Sequence, residues 1–347
     1  MLRYKMLGQS GLRVSEICLG TMSFGQDWPF GADEATSHKV LDAYAEDGGN
    51  FLDTANKYHN GETEEYLGNW MAANQRDRMV VATKYSLAMD HTDPNAAGNQ
   101  RKNMMQSVEA SLRRMKTDYI DLLWVHAYDD DTPIEETMRG LDDLVRMGKV
   151  HYVGISDTPA WIASKANTLA DLRGWSQFIG MQCEYSLLER TPERDLIPMS
   201  QHFGMSVTAW APLAGGVLSG KYTRGGNNDS LRVNGNDEKQ RTSAANLAIA
   251  QKVDAIADEL GATSAQVATA WVMAQGYHMI PIVGARKPEQ IIDVIGASQV
   301  QLTEDHLQLL SKASQIELGF PHDFLASEHI LDMGKGEIRT QVDPRPR

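Results

Sequence analysis

Four side chains of different chemical types stand at or just after the ends of short apolar segments in the first half of the sequence. Asp53 ends one such segment and Tyr58 follows it by five residues, whereas Lys84 and His126 end the next two. A Lys ammonium beside a Tyr hydroxyl favours the phenolate and lowers the pKa of the Tyr, and a buried Asp can pair with that Lys. A neighbouring His can donate to a carbonyl oxygen and orient it. Brought together, these side chains could deliver a proton to a carbonyl group.

Each of the four side chains also has an ordinary structural explanation when it is taken alone. A lone Asp at a strand end usually caps a turn, and a lone Lys is usually solvated. A His in an apolar segment usually belongs to the core, and a Tyr in a loop usually packs. The functional interpretation therefore depends on joint placement, which the surrounding elements must provide.

Eight short apolar segments alternate with longer amphipathic ones along the chain. Within each short segment, apolar and polar residues do not alternate, which is typical of parallel strands buried on both faces. The eight segments cover residues 17–20, 50–53, 79–84, 119–126, 151–156, 178–183, 205–210 and 278–284. Repeated strand–helix units predict a parallel sheet, and eight of them predict a closed (β/α)8 TIM barrel. In such a barrel the active site lies at the C-terminal ends of the strands, where the four polar side chains stand.

Helical periodicity between the strands supports this architecture. Residues 33–47 and 104–115 carry apolar side chains at spacings of three and four. Asp33 and Thr158 are predicted N-caps, with Pro159 at the first helical position. The glycines predicted to follow helix ends are Gly48, Gly148 and Gly261.

Three segments lie outside the repeated units. Residues 3–7 and 12–14 flank a Gly-rich turn and predict an N-terminal β-hairpin. Residues 213–243, rich in Gly, Asn, Asp, Ser and Arg, predict a long mobile loop after the seventh strand, and residues 319–347 predict an irregular tail. No linker divides the chain, so residues 1–347 are expected to form a single domain.

Composition narrows the class of protein. The 347 residues are 42% hydrophobic and 23% charged, which is ordinary for a soluble globular protein. The net charge of −13 argues against nucleic-acid and anionic membrane partners. Cys18 and Cys183 lie in apolar segments and are expected to be buried free thiols, as suits a reducing compartment. Without a signal-like or membrane-spanning segment, a cytoplasmic location is expected.

Several motifs resemble one known family. Residues 51–58 read FLDTANKY and residues 122–129 read LLWVHAYD. Residues 154–156, 182–188 and 209–214 read GIS, QCEYSLL and AWAPLA, and LSGK follows at 218–221. In this order they resemble the aldo-keto reductase family, and the resemblance runs from about Lys5 to Gln315. The chain resembles bacterial-type members related to aryl-alcohol dehydrogenases and potassium-channel β subunits.

The resemblance implies a function for the four side chains. Tyr58 would protonate the carbonyl oxygen. Lys84, held by Asp53, would depress the pKa of Tyr58. His126 would orient the carbonyl. The chain would then reduce aldehydes or ketones to alcohols with NADP(H), with NAD(H) as the alternative cofactor, and it could also run the reverse alcohol oxidation.

The resemblance also implies cofactor contacts. Ser156 and Gln182 would hold the carboxamide, Trp210 would stack on the nicotinamide, and Arg286, with Lys287 as the alternative, would bind the 2′-phosphate. The implied cofactor-binding residues are Gly20, Thr21, Met22, Ser156, Asp157, Gln182, Trp210, Pro212, Leu213, Gly215, Leu218, Gly220, Lys221, Gly284, Arg286, Gln290 and Asp293. Two positions depart from the family pattern: Asp157 replaces a common Asn, and Val294 cannot hydrogen-bond adenine.

Aromatic side chains follow several strands and predict the substrate pocket. They are Trp28, Phe30, Tyr85 and Tyr128, with Phe320 and Phe324 of the tail as further candidates. Such a lining favours planar or apolar carbonyl compounds, such as aryl aldehydes. The alternative is that these rings pack the loops against one another.

Two other functions are alternatives to the reductase. One is a sensor or regulatory subunit that binds NADP(H) with little turnover, which would not need a proton donor. The other is a metal-dependent barrel hydrolase, which the absence of metal-ligand spacing disfavours. The expected partner is a small carbonyl substrate, and the chain could act as a monomer or a homo-oligomer.

Overall fold

Eight parallel strands close into a barrel, which confirms the predicted fold class. The computed structural model describes residues 1–74, 76–225, 241–276 and 278–343. The barrel strands are β3 (Cys18–Gly20), β4 (Phe51–Asp53), β5 (Val80–Tyr85), β6 (Ile120–Val125), β7 (Val150–Ser156), β8 (Phe178–Glu184), β9 (Ser206–Trp210) and β10 (Met279–Gly284). They pair in chain order, and β10 closes the barrel against β3.

The strand register brings the predicted polar residues to one end of the barrel. Gly20 pairs with both Gly284 and Asp53. Farther round, Ser156 pairs with Gln182. The C-terminal strand ends therefore form one continuous rim, the barrel mouth.

Helices form the outer layer. They are α1 (Glu34–Glu46), α2 (Glu62–Ala73), α3 (Arg101–Met115), α4 (Ile134–Arg146), α5 (Ala160–Arg173), α6 (Leu196–His202), α7 (Ala244–Leu260), α8 (Ser264–Met273), α9 (Pro288–Ile295) and α10 (Glu304–Ala313). None of the helices in the described part of the chain is both long and apolar enough to cross a membrane.

The core has two layers because strand side chains alternate between the two faces of the sheet. On β5, Val80 and Ala82 belong to the cluster inside the barrel, whereas Val81 and Tyr85 belong to the cluster under the helices. Trp124 of β6 is fully buried inside the barrel. A Cβ at Gly154 would lie 2.3 Å from the Trp124 ring, so the glycine leaves room for the indole below the mouth.

The N-terminal hairpin closes the opposite end of the barrel. β1 (Tyr4–Met6) pairs antiparallel with β2 (Arg13–Ser15), as predicted. Leu7 and Val14 are buried in the interior cluster. Lys5 Nζ donates to the carbonyl of Met279 at 2.9 Å. The hairpin therefore covers the core and leaves the mouth at the other end open.

Most predicted helix boundaries are confirmed, with one correction. Asp33 caps α1, since its side chain accepts from Thr36 N at 2.8 Å. The prediction that Thr158 caps α5 is wrong: the N-cap is Pro159, and the helix begins at Ala160. The Thr158 hydroxyl donates to the Ser156 carbonyl at 2.7 Å. The glycines Gly48, Gly148 and Gly261 stand at or just after helix ends, with φ of 91°, 72° and 62°.

The structure treats the two segments predicted to be irregular differently. The predicted loop at 213–243 contains a 3-10 helix at Ala214–Ser219, and residues 226–240 lie outside the described part of the chain. The prediction of an irregular tail is wrong in part, because α11 (His322–Ala326) and α12 (Glu328–Lys335) lie within it. Both thiols, Cys18 and Cys183, are buried and free, as expected.

Candidate active site

A buried Lys84 ammonium is the centre of the site. Lys84 is 1% exposed, and its Nζ donates to Asp53 Oδ2 at 2.5 Å and to the Thr54 carbonyl at 2.9 Å. Its third partner is the Tyr58 hydroxyl, at 3.1 Å. Burial lowers the pKa of Lys84, but Asp53 and Tyr58 together raise it by more, so the net pKa lies above its ordinary value. The side chain therefore stays an ammonium.

Local backbone geometry brings Tyr58 to that ammonium. β4 ends at Asp53, and a 3-10 turn at Tyr58–Gly61 carries the Tyr beside the C-terminal end of β5. His59 and Asn60 of this turn have φ of 46° and 52°, the left-handed region that few side chains adopt. This conformation turns the chain sharply before α2 begins.

The pKa of Tyr58 differs from the prediction. Burial raises it, and the Lys84 ammonium offsets only part of this effect, so the net pKa lies above the ordinary value. Lys84 therefore acts in the predicted direction but does not bring the pKa below its ordinary value, because removing the hydroxyl from water disfavours the phenolate more than Lys84 favours it. At neutral pH Tyr58 is a protonated donor.

His126 lies beside Tyr58 as a neutral imidazole. The two rings make an edge contact, with centroids 6.0 Å apart. Burial, and next the Lys84 charge, lower the pKa of His126 to about 3. Its buried Nδ1 has no hydrogen-bond partner among the described residues. The four predicted side chains are therefore brought together at the mouth.

Sequence reasoning missed the contact that completes the environment of Asp53. Gln182 Nε2 donates to Asp53 Oδ1 at 2.9 Å. The Thr21 hydroxyl and Thr21 N both donate to the Asp53 carbonyl, each at 2.9 Å. Gln182 had been predicted only as a carboxamide contact, and no local pattern links residues on opposite strands.

The ends of β7, β8 and β9 bring together four predicted cofactor residues. Ser156 and Gln182 are buried side by side, and Trp210 is half-buried at the rim. Trp210 Nε1 donates to Asp157 Oδ1 at 3.2 Å. Asp157 and Trp210 also line an open groove of about 420 Å³ between these strand ends and α6.

Four of the implied cofactor-binding residues lie at the end of β10, in the turn that follows it and in α9. Gly284 is exposed at the rim, and the half-buried Arg286 guanidinium has no ion-pair partner in the described part of the chain. Gln290 Oε1 accepts from Arg286 N at 2.8 Å, which closes the turn before α9. Asp293 accepts from Thr263 Oγ1 at 3.2 Å and from Gln266 Nε2 at 3.1 Å, so protein donors already occupy it.

The other predicted cofactor residues divide by accessibility. Met22, Leu213, Gly215 and Lys221 retain surface at the mouth side of the chain. The buried ones are Gly20, Thr21, Pro212, Leu218 and Gly220. The cofactor contacts of these residues stay predictions.

Comparisons with known proteins agree with this geometry. Residues 16–315 match the model of the Aldo/keto reductase family. The chain belongs to the aldo/keto reductase family.

Two curated members of the family illustrate its relatives. Norsolorinic acid reductase A of Aspergillus parasiticus is 39% identical over 327 residues, covering 91% of this chain and 82% of that protein. Aryl-alcohol dehydrogenase [NADP(+)] of Phanerodontia chrysosporium is 39% identical over 337 residues, covering 90% and 86%. Membership and these relatives support an oxidoreductase that reduces carbonyl groups.

The aromatic residues predicted for the substrate pocket of this aldo/keto reductase do not all reach the mouth. The Trp28 ring lies edge-on to the Tyr58 ring, with ring centroids 6.3 Å apart. The Phe30 and Trp28 ring centroids are 5.9 Å apart. Tyr128 packs partly buried against the outer core. The prediction for Tyr85 is wrong: it is 1% exposed under the helices, with its hydroxyl on the Asn99 carbonyl. Because Lys84 points into the mouth, its neighbour Tyr85 must point outward.

The tail rings remain at the surface. Phe320 and Phe324 are 83% and 51% exposed, and their centroids are 5.9 Å apart. Their approach to the mouth stays a prediction.

A residue that sequence reasoning missed, His59, holds the Trp28 loop. His59 is 1% exposed, and its ring stacks on Trp28 with centroids 4.7 Å apart. Its Nδ1 accepts from Trp28 N at 3.1 Å. Gly25 leaves space for the imidazole, because a Cβ there would lie 2.4 Å from the ring. The only feature of the sequence that pointed to His59 was its position next to Tyr58.

Proposed function

We propose that this aldo/keto reductase uses NADPH to reduce aldehydes or ketones to alcohols, with Tyr58 as the proton donor. The observation that carries the proposal is the Lys84 ammonium, which contacts both Asp53 Oδ2 and the Tyr58 hydroxyl. A hydroxyl in this position can release its proton because the ammonium stabilises the phenolate that remains. A protein that only sensed the cofactor would not need such a donor.

The residues present fit a nicotinamide dinucleotide phosphate. Trp210 offers a half-buried indole at the rim, near the tetrad of Asp53, Tyr58, Lys84 and His126. At the other end of the site, Arg286 offers a guanidinium that no described carboxylate neutralises, in a chain of net charge −13. A guanidinium binds phosphate well, and the start of α9 adds backbone N–H groups beside it. Trp210 would hold the nicotinamide and Arg286 the 2′-phosphate.

The reduction adds a hydride to the carbonyl carbon and a proton to the carbonyl oxygen. When bound, NADPH supplies the hydride. Tyr58 gives the proton from its hydroxyl, and Lys84 stabilises the resulting phenolate at 3.1 Å. Asp53 holds Lys84 in place, and the neutral His126 offers a ring nitrogen that orients the carbonyl oxygen. Solvent then returns a proton to Tyr58.

Aryl carbonyl compounds are the proposed substrate class. The Trp28 ring stands 6.3 Å from the Tyr58 ring, and Phe30 extends that wall. A flat aromatic substrate can pack on such rings while its carbonyl reaches the Tyr58 hydroxyl. One relative, an aryl-alcohol dehydrogenase [NADP(+)], is named for this class of compound.

The first test follows NADPH oxidation with 4-nitrobenzaldehyde in the wild type and in Tyr58→Phe. We expect the variant to lose about 100-fold or more of kcat while it binds NADPH with unchanged affinity. Tyr119→Phe is the matched control, because the Tyr119 hydroxyl donates to Asp77 away from the mouth. Activity retained in Tyr58→Phe would refute the assignment. NADPH binding without turnover in the wild type would favour the sensor.

A further inference from the structure

The backbone of Asp157 is held firmly at the barrel mouth. Its N–H donates to the Gln182 carbonyl at 3.2 Å, and its carbonyl accepts from Tyr128 N at 3.4 Å. Its φ is 41°, in the left-handed region where Asp and Asn are the side chains most often found. The chain therefore aims the Asp157 side chain at one place, beside the indole of Trp210.

The Asp157 carboxylate is not part of an ion pair within the described residues. Its Oδ1 accepts from the neutral indole N–H of Trp210 at 3.2 Å, and no cation in the described part of the chain forms an ion pair with it. Asp53 and Lys84 neutralise each other, and His126 is neutral. With Tyr58 protonated, the Asp157 carboxylate is a charge at the mouth that no cation of the described residues pairs with, and it lies beside Trp210.

The geometry of this position does not require a charge. An Asn would adopt the left-handed φ equally well and would offer the same oxygen to the Trp210 N–H. Compared with that Asn, the carboxylate adds a negative charge and lacks the amide N–H donor. A function for Asp157 should therefore be sought in the charge of whatever binds next to Trp210.

We propose that Asp157 sets the preference of the site for the oxidised cofactor, because its carboxylate attracts the nicotinamide ring only when that ring is positively charged. This inference rests on the proposed function, in which the ring lies on Trp210. The ring of NADP⁺ carries a positive charge and that of NADPH carries none. A carboxylate beside the ring therefore strengthens the binding of NADP⁺ and leaves NADPH nearly unaffected. In a partly solvated mouth, the expected effect on the dissociation constant is about three- to tenfold.

This preference has a consequence for the reaction. After reduction of the carbonyl, the oxidised cofactor would leave slowly, and NADP⁺ would inhibit strongly as a product. By linkage, the same charge favours the hydride-transferred state on the enzyme. Asp157 is thus a specificity-determining residue rather than a proton donor or acceptor.

The test measures the dissociation constants of NADP⁺ and NADPH separately, by titration calorimetry at about pH 8, where carboxylates are ionised. The variants are Asp157→Asn and the control Asp195→Asn, whose carboxylate lines the same groove without a hydrogen bond to Trp210. We expect Asp157→Asn to weaken NADP⁺ binding about three- to tenfold relative to NADPH binding, and the control to leave the ratio unchanged.

Three outcomes would overturn the inference. If both cofactor forms weaken equally in Asp157→Asn, the residue acts through structure rather than charge. If the ratio stays at the wild-type value, the carboxylate does not face the ring, and the proposed reductase function stands. If the wild type binds neither form, the proposed function fails together with this inference.

Discussion

Gln182 Nε2 donates to Asp53 Oδ1 at 2.9 Å, from the strand on the opposite side of the barrel. Lys84 occupies the other carboxylate oxygen, so both oxygens of Asp53 have a buried donor. The barrel mouth is therefore joined across its width beneath the predicted nicotinamide position. Asp53 therefore holds the two sides of the mouth together and also neutralises the Lys84 ammonium.

Loss of the Asp53 charge should destabilise the protein through the partner it leaves behind. Asp53→Asn leaves a buried Lys84 ammonium without its counter-charge, and we expect about 3 to 5 kcal/mol lower free energy of unfolding. The double variant with Lys84→Met should recover a large part of that loss, because no unpaired charge remains. Urea unfolding of the wild type, both single variants and the double variant measures the coupling. Strictly additive effects would contradict the buried pair.

The Arg286 guanidinium should discriminate between the two dinucleotides. Arg286→Ala removes a charge-assisted contact to the 2′-phosphate, and we expect about a tenfold higher dissociation constant for NADPH with little change for NADH. Lys287→Ala is the neighbouring control and should have a smaller effect, because Lys287 is exposed. Equal losses of affinity for NADPH and NADH in Arg286→Ala would mean that Arg286 supports the structure rather than binding the 2′-phosphate.

The reduction should show a wide pH plateau. Burial raises the pKa of Tyr58, so the donor remains protonated until the pH passes that raised value. The pKa of His126 is lowered to about 3, so the imidazole is neutral above that pH. We expect kcat at saturating NADPH to be constant from about pH 5 to about pH 9 and to fall only at higher pH. A change in kcat centred near pH 6.5 would mean that His126 titrates normally.

His59 should control how well Trp28 forms the substrate wall. His59→Leu removes the acceptor for Trp28 N–H, and we expect about a tenfold higher KM for 4-nitrobenzaldehyde, because the loop loses its anchor. His59→Asn keeps an oxygen acceptor and tolerates the left-handed backbone, so its KM should rise less. A small aliphatic aldehyde, which needs no aromatic wall, serves as the comparison substrate. A KM that rises equally for both aldehydes in His59→Leu would contradict this specific role.

The fold could be predicted because its signals are local. Each buried strand is a short apolar segment, and each helix shows its own period, so eight units were visible one by one. The Asp33 cap and the glycines after helix ends were equally local. The tail differed because α11 and α12 are only 5 and 8 residues long, and their pattern is too brief to identify.

The sequence by itself determined the order of the strands, and with it the meeting of Asp53, Lys84 and His126 at one rim, because parallel strand ends share an edge. Only the tertiary structure decided which neighbouring side chain faces the mouth: Lys84 points in and Tyr85 points out, since alternation depends on a register of one residue. It also decided the contact of Gln182 with Asp53, which spans the barrel. Finally, it decided the raised pKa of Tyr58, because the cost of burial depends on everything packed around the hydroxyl and not on its sequence neighbours.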